Sequence, residues 1–210
     1  MKRLIASMVV AAIVAMAGCA GVQMSPADRA QIKTIKIRAD DRMPNDMFYH
    51  SRAQSVAGAF GLVGALVGLA SASDAKAQII ATMKANNIQL PIILQAEFSK
   101  AMQSQKEFQV VDGDSSADAE MLLVVNLYGL GQSHGFSSLY PTLTVSATLR
   151  KPDNTVIWQK TDYATPLNKE NTGGHEFNEY IGQPELLRAT WSNVSGIVSR
   201  MLVGNLSPPR

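Results

Sequence analysis

Met121-Leu122-Leu123-Val124-Val125-Asn126-Leu127 and, further on, Leu143-Thr144-Val145-Ser146-Ala147-Thr148-Leu149-Arg150 are the two stretches whose reading decides the fold. The first is almost continuously apolar, the pattern of a strand buried on both faces. The second alternates strictly: Leu143, Val145, Ala147 and Leu149 point one way, and Thr144, Ser146, Thr148 and Arg150 the other. That is the period of a strand with one wet face. Lys151-Pro152-Asp153-Asn154 supplies the residues of a turn, and Val156-Ile157-Trp158-Gln159 returns the chain as the second arm of an antiparallel hairpin. A β-meander therefore occupies the middle of the chain.

Upstream, Thr34-Ile35-Lys36-Ile37-Arg38 alternates as a half-buried strand, and a polar, Pro-containing loop follows to residue 51. Ile79, Ile80 and Met83 set a helix over 75–86, which Asn86-Asn87 ends. Pro91 suits the first turn of another, with Leu94, Phe98, Ala101 and Met102 on one face. Residues 108–111 read as a short strand closed by Asp112-Gly113-Asp114. Downstream, 164–182 is polar and glycine-containing, a long loop. Pro184 then opens the clearest helix, with Leu187, Trp191, Val194, Val198 and Met201 on one stripe. These elements predict an α/β domain of the α+β kind. Its small, mostly antiparallel sheet with a β-meander would be packed by two central helices and a C-terminal amphipathic helix.

The N-terminus carries a different signal. Lys2 and Arg3 precede an uncharged apolar run that ends in Met16-Ala17-Gly18-Cys19, the layout of a secretory signal peptide shorter than a membrane span. Met16-Ala17-Gly18-Cys19 resembles the bacterial lipobox. The resemblance implies cleavage before Cys19 and acylation of its sulfur and its new amino group. Ala20 in the next position, rather than Asp, implies the outer membrane of a Gram-negative cell. The expected division is a signal peptide at 1–18, a lipidated N-terminus and tether at 19–32, one periplasmic domain at 33–204 and a tail at 205–210.

Loss of residues 1–18 removes Lys2 and Arg3 and leaves 17 basic against 17 acidic residues, so no nucleic-acid footprint is expected. Cys19 is the only cysteine, which leaves no thiol for a disulfide or a thiolate metal site once it is acylated.

Residues 53–73 form an apolar insertion without a charge, long enough as a helix, roughly 31 Å, to match a bilayer core. Ala57, Gly61, Gly64 and Gly68 would form one small-residue stripe on that helix, with a GxxxG at its end. Interior glycines weaken a lone helix in water by about 0.8 to 1 kcal/mol each. A partner helix, the domain's own sheet or lipid must therefore pack on it.

Catalytic and metal motifs are incomplete. Gly131-Gln132-Ser133-His134-Gly135 matches GxSxG, yet another strand follows where a nucleophile elbow needs a helix. His175-Glu176-Phe177-Asn178-Glu179 lacks the second histidine of a zinc-protease helix. Asp112, Asp114 and Asp118 resemble a calcium loop, but Leu123 stands where its bidentate glutamate belongs. Turn chemistry explains those aspartates better. Trp158 and Trp191 read as core. The expectation is a non-enzymatic protein with no metal and no cofactor.

The order of elements, with Ala117-Asp118-Ala119-Glu120 leading into a long strand and a Val156-Ile157-Trp158 return strand, resembles a group of envelope lipoproteins. They are the curli-secretion, penicillin-binding-protein activator and flagellar outer-membrane lipoproteins and, more distantly, the ABC-transport auxiliary lipoproteins. The resemblance covers roughly residues 33–203 and implies a binding or oligomerising module without enzymatic activity. The expected function is that of an accessory or assembly factor, held to the membrane through Cys19 and engaging an envelope protein or further copies of itself. The alternatives are a membrane-inserting oligomer built on the stripe at 53–73 and, less favoured, a hydrolase using Ser133.

Overall fold

The computed structural model describes residues 21–50, 61–113, 115–134 and 138–206, with 61–71 as backbone alone. Its spine is β4 (Ala119–Gln132), which pairs antiparallel with β5 (Leu139–Arg150) from Glu120 opposite Arg150 to Gln132 opposite Leu139. β5 pairs in turn with β6 (Val156–Ala164), and Asn154, at a φ of 65°, turns the chain between them. This is the meander that the alternation at 143–150 predicts.

The other edge of β4 is divided between two parallel strands. β1 (Thr34–Ala39) lies along residues 119–123, and β2 (Phe48–His50) lies along 129–131. β3 (Gln109–Val111) pairs parallel outside β1. The α+β class therefore holds, and these parallel ladders join the antiparallel meander in one mixed sheet. Parallel neighbours need a long crossover. Two helices between β1 and β3 supply it: α2 (Gly61–Ala85) and α3 (Leu90–Gln103), numbered after the short α1 (Pro26–Gln31). β2 is too short to show a period in sequence. Gly129 makes room for it, because a Cβ there would lie 2.0 Å from the Phe48 carbonyl oxygen.

One face of the sheet is buried under helices. Leu90, Leu94, Phe98 and Met102 of α3 and Leu187, Trp191, Val194, Val198 and Leu202 of α5 (Pro184–Leu206) meet Ile35, Ile37, Met121, Leu123, Val145 and Trp158 in one core. Both tryptophans are fully buried there, as expected. The opposite face of β4 is not. Leu122, Val124 and Leu127 are half-buried and Asn126 is exposed, so residues 121–127 are covered on one side only. The apolar run hides this asymmetry, which appears instead in the partner residues. Asn126 Nδ2 donates to Ser146 Oγ at 2.6 Å, and Ser146 Oγ lies 2.7 Å from Thr161 Oγ1, a polar ladder across β4, β5 and β6.

Three further departures have physical causes. α2 runs unbroken through Asp74, because Ala72, Ala75, Ile79 and Met83 continue one buried stripe while Asp74 stays exposed. The loop at 164–182 contains α4 (Phe177–Gly182) and is pinned to the meander. Tyr180 Oη donates to the carbonyls of Leu139, at 2.8 Å, and Gly173, and burial raises its pKa. Finally, the described part of the expected tether is folded. Met24 and Ile32 are buried, Ser25 caps α1 by accepting from the Asp28 amide at 3.1 Å, and the Gln159 amide of β6 donates to the Val22 carbonyl at 2.8 Å.

Candidate functional site

The segment that starts at Gly21 fixes the first part of the site. Gly21 packs so closely on β6 that a Cβ would stand 2.1 Å from the Gln159 carbonyl oxygen. Below it, α1 is held at both ends of the sheet. The Lys151 ammonium pairs with Asp28 at 2.5 Å, and the Arg29 guanidinium pairs with Glu107 at 2.8 Å and donates to the Leu206 carbonyl at 2.5 Å. The hydrogen bond from Lys151, joined by that from Ser25, holds the Asp28 carboxyl below its usual pKa. Gly21, seated on β6, is two residues from Cys19, which itself lies outside the described residues.

Beside this corner, the open sheet face holds a cavity of about 280 Å³ where β1, β4 and β5 begin or end. Lys36, Arg38, Arg150 and Lys151 line it with a single carboxylate, Glu120. The register brings them together: Lys36 is opposite Glu120, and Glu120 is opposite Arg150. Glu120 is taken by Arg38, at 3.1 Å. Arg150 Nε is out of contact with solvent and has no hydrogen-bond partner among the described residues. Such a cluster is suited to an anion, since guanidinium groups bind phosphate or carboxylate through paired N–H donors.

A second concavity, about 380 Å³, lies between α2, the start of α3 and the loop after β1. Met43, Met83, Ile88, Leu90 and the exposed Ile80 and Ile92 make it apolar, with Tyr128 at its side. Burial raises the Tyr128 pKa. An apolar groove with flexible methionines suits an apolar side chain of a partner.

The residues singled out in the sequence are scattered. Cys19 and Ala57 lie outside the described residues, whereas Gly61, Gly64 and Gly68 fall in the first half of α2. The second half of α2 belongs to the domain, with Lys76 paired to Asp46 at 2.9 Å. Among the described residues no helix is long and apolar enough to cross a membrane. Ser133 follows the last residue of β4, and the next described element is β5. His175 pairs with Leu139 through both backbone groups at 3.0 Å, and the Glu179 carboxylate accepts the Glu176 amide at 2.8 Å at the start of α4. Asp118 accepts from the amides of Lys33 and Thr34, both at 2.8 Å, and from the Thr34 hydroxyl at 2.9 Å. These bonds, led by that from the Lys33 amide, hold its carboxyl below the usual pKa. Asp118 thus ties β1 to the start of β4. Among the described residues no group of acidic, histidine or cysteine side chains could hold a metal ion.

No protein-family model and no curated protein matches the chain. Solved structures overlay on it loosely. A Xanthomonas campestris protein of the DUF330 family has 14% identity and a TM-score of 0.38 over 54% of this chain, which spans 58% of that protein. A PelC dodecamer from Paraburkholderia phytofirmans has 9% identity and a TM-score of 0.36, over 91% of this chain and 95% of that one. Lipoprotein GNA1162 from Neisseria meningitidis has 16% identity and a TM-score of 0.27, over 75% of this chain and 98% of that one.

Proposed function

We propose that the chain is a lipid-anchored lipoprotein of the outer membrane, facing the periplasm, whose α+β domain is a non-enzymatic module for binding an envelope protein. The observation that carries this reading is the lipobox ending at Cys19, two residues ahead of Gly21, which is seated on β6. Several acyl chains give firm attachment where one gives only marginal binding. The apolar groove at Met43, Met83 and Ile92 is the surface offered to the partner. Ser133 lies between two strands, and the Glu179 carboxylate is occupied by backbone at the start of α4, which supports a binding role over hydrolysis or metal chemistry.

The test uses cells fed an alkynyl fatty acid. Wild-type protein takes up the label and sediments with outer membranes, whereas Cys19→Ala protein takes up none. A photocrosslinker in place of Ile92 should give one discrete adduct with an envelope protein, lost in an Ile80→Glu background. Label on the Cys19→Ala protein overturns the anchor, and the absence of any adduct overturns the groove.

A further inference from the structure

The open face of the sheet carries a concentration of positive charge on a domain that is neutral as a whole. We propose that Lys36, Arg38, Arg150 and Lys151 form a docking surface for the anionic phospholipid headgroups of the bilayer that holds Cys19. The inference rests on the anchored reading above and names a second contact with the same membrane.

Gly21 is seated on Gln159, and two residues reach at most roughly 7 Å, so the acylated residue cannot stand far from that edge of β6. Gln159 is opposite Thr148, two residues before Arg150 on β5. With strands about 4.8 Å apart and a rise of about 3.4 Å per residue, the basic cavity lies roughly 15 Å from the seat of Gly21. The segment that leaves the anchor continues into α1, and Asp28 of α1 grips Lys151 on the rim of the cavity.

Four cations line the cavity; Glu120 is engaged by Arg38 and Asp28 by Lys151, so Lys36 and Arg150 carry the uncompensated charge. Arg150 is half-buried on the cavity wall, and Glu120, the carboxylate opposite it in the register, is held by Arg38. The accessible part of a guanidinium on a cavity wall bonds strongly to an anionic oxygen that meets its N–H groups. A phosphodiester headgroup supplies such oxygens at the surface to which the short N-terminus confines this corner. Polybasic segments gain attraction to anionic lipid within a Debye length of it, about 8 Å at physiological salt. The same chemistry would serve a free phosphate, and the experiment separates the two.

The test uses the full mature acylated protein in phosphatidylcholine vesicles, with or without roughly a third phosphatidylglycerol. Amine acetylation is followed at each lysine by peptide mass spectrometry, with Lys100 on α3, the helix on the covered side of the sheet, and Lys169, in the loop after the far end of β6, as references. Lys36 and Lys151 should react roughly fivefold more slowly on the anionic vesicles, while the references do not change. The protection should vanish at about 1 M salt, where screening shortens to about 3 Å. It should also weaken in Arg150→Gln protein and in Arg38→Gln protein, the latter altering a side chain that is 64% exposed. Equal rates on the two vesicles overturn the docking. Inorganic phosphate producing the same protection on phosphatidylcholine vesicles also overturns it, in favour of a free anion. A chain whose Cys19 carries no acyl group by intact mass overturns the anchor itself; an acylated chain with equal rates overturns the docking alone.

Discussion

Along β5, the side chains turned toward α3 and α5 (Leu143, Val145, Ala147 and Leu149) are fully buried. Their neighbours Thr144, Ser146 and Arg150 on the other face are half-exposed and linked sideways or left available. One strand thus serves two purposes. The covered face gains stability from packing and excludes polar groups, so each of its residues is replaceable only by another of similar volume. The open face contributes little to the core and keeps its polar and charged groups in register for something outside the domain.

The largest effects should come from breaking the covered face. Trp191→Ala removes a fully buried indole that touches Tyr128 edge-on, at a centroid distance of 6.1 Å. It should cost about 3 to 5 kcal/mol, read from the midpoint of a urea unfolding curve. Gly129→Ala lies at the boundary between the two regimes, since its Cβ would strike the Phe48 backbone. It should cost roughly 1 to 3 kcal/mol and speed amide exchange selectively at Phe48, Tyr49 and His50 as β2 leaves β4. On the open face, Ser146→Ala severs the link from Asn126 to Thr161 and should cost only about 1 kcal/mol, in the same unfolding measurement. A loss as large as that of Trp191→Ala would erase the distinction between the faces.

The smallest effect depends on pH. Asp118 is ionised below the usual carboxylate range in the folded protein because three donors hold it. Its contribution is therefore fully present above the unfolded value of about 3.9 and is lost as pH falls through the lower folded value. Melting temperatures measured from neutral to acid pH should converge for wild type and Asp118→Asn at the acid end. A difference that grows on acidification would contradict this sign.

The covered face was legible in the sequence because helices and half-buried strands impose periods of their own. Leu94, Phe98 and Met102, and Leu187, Trp191 and Val194, fall on their stripes and are buried there. The open face was not legible. Lys36, Glu120 and Arg150 are far apart in the chain and meet only through the register of β1, β4 and β5. A basic residue in a strand reads simply as its wet side. The docking of residues 21–24 was hidden for a related reason: one backbone bond from Gln159 and the absence of a side chain at Gly21 hold it, and neither produces a pattern. Asp74 misled in the opposite sense, since a charge on the outer side of α2 does not end a helix whose buried stripe continues. Asp118 shows how an aspartate before an apolar strand can tie two strands rather than bind calcium.

Both the open face and the short N-terminal connection take their meaning from the lipid at Cys19. The most direct test is the mass of the N-terminal peptide of the protein extracted from outer membranes. A lipid-anchored protein gives a peptide beginning at Cys19 with acyl chains on its sulfur and amino group, and none beginning at Met1. A peptide that retains residues 1–18, or one that begins at an unmodified Cys19, would contradict the lipid anchor.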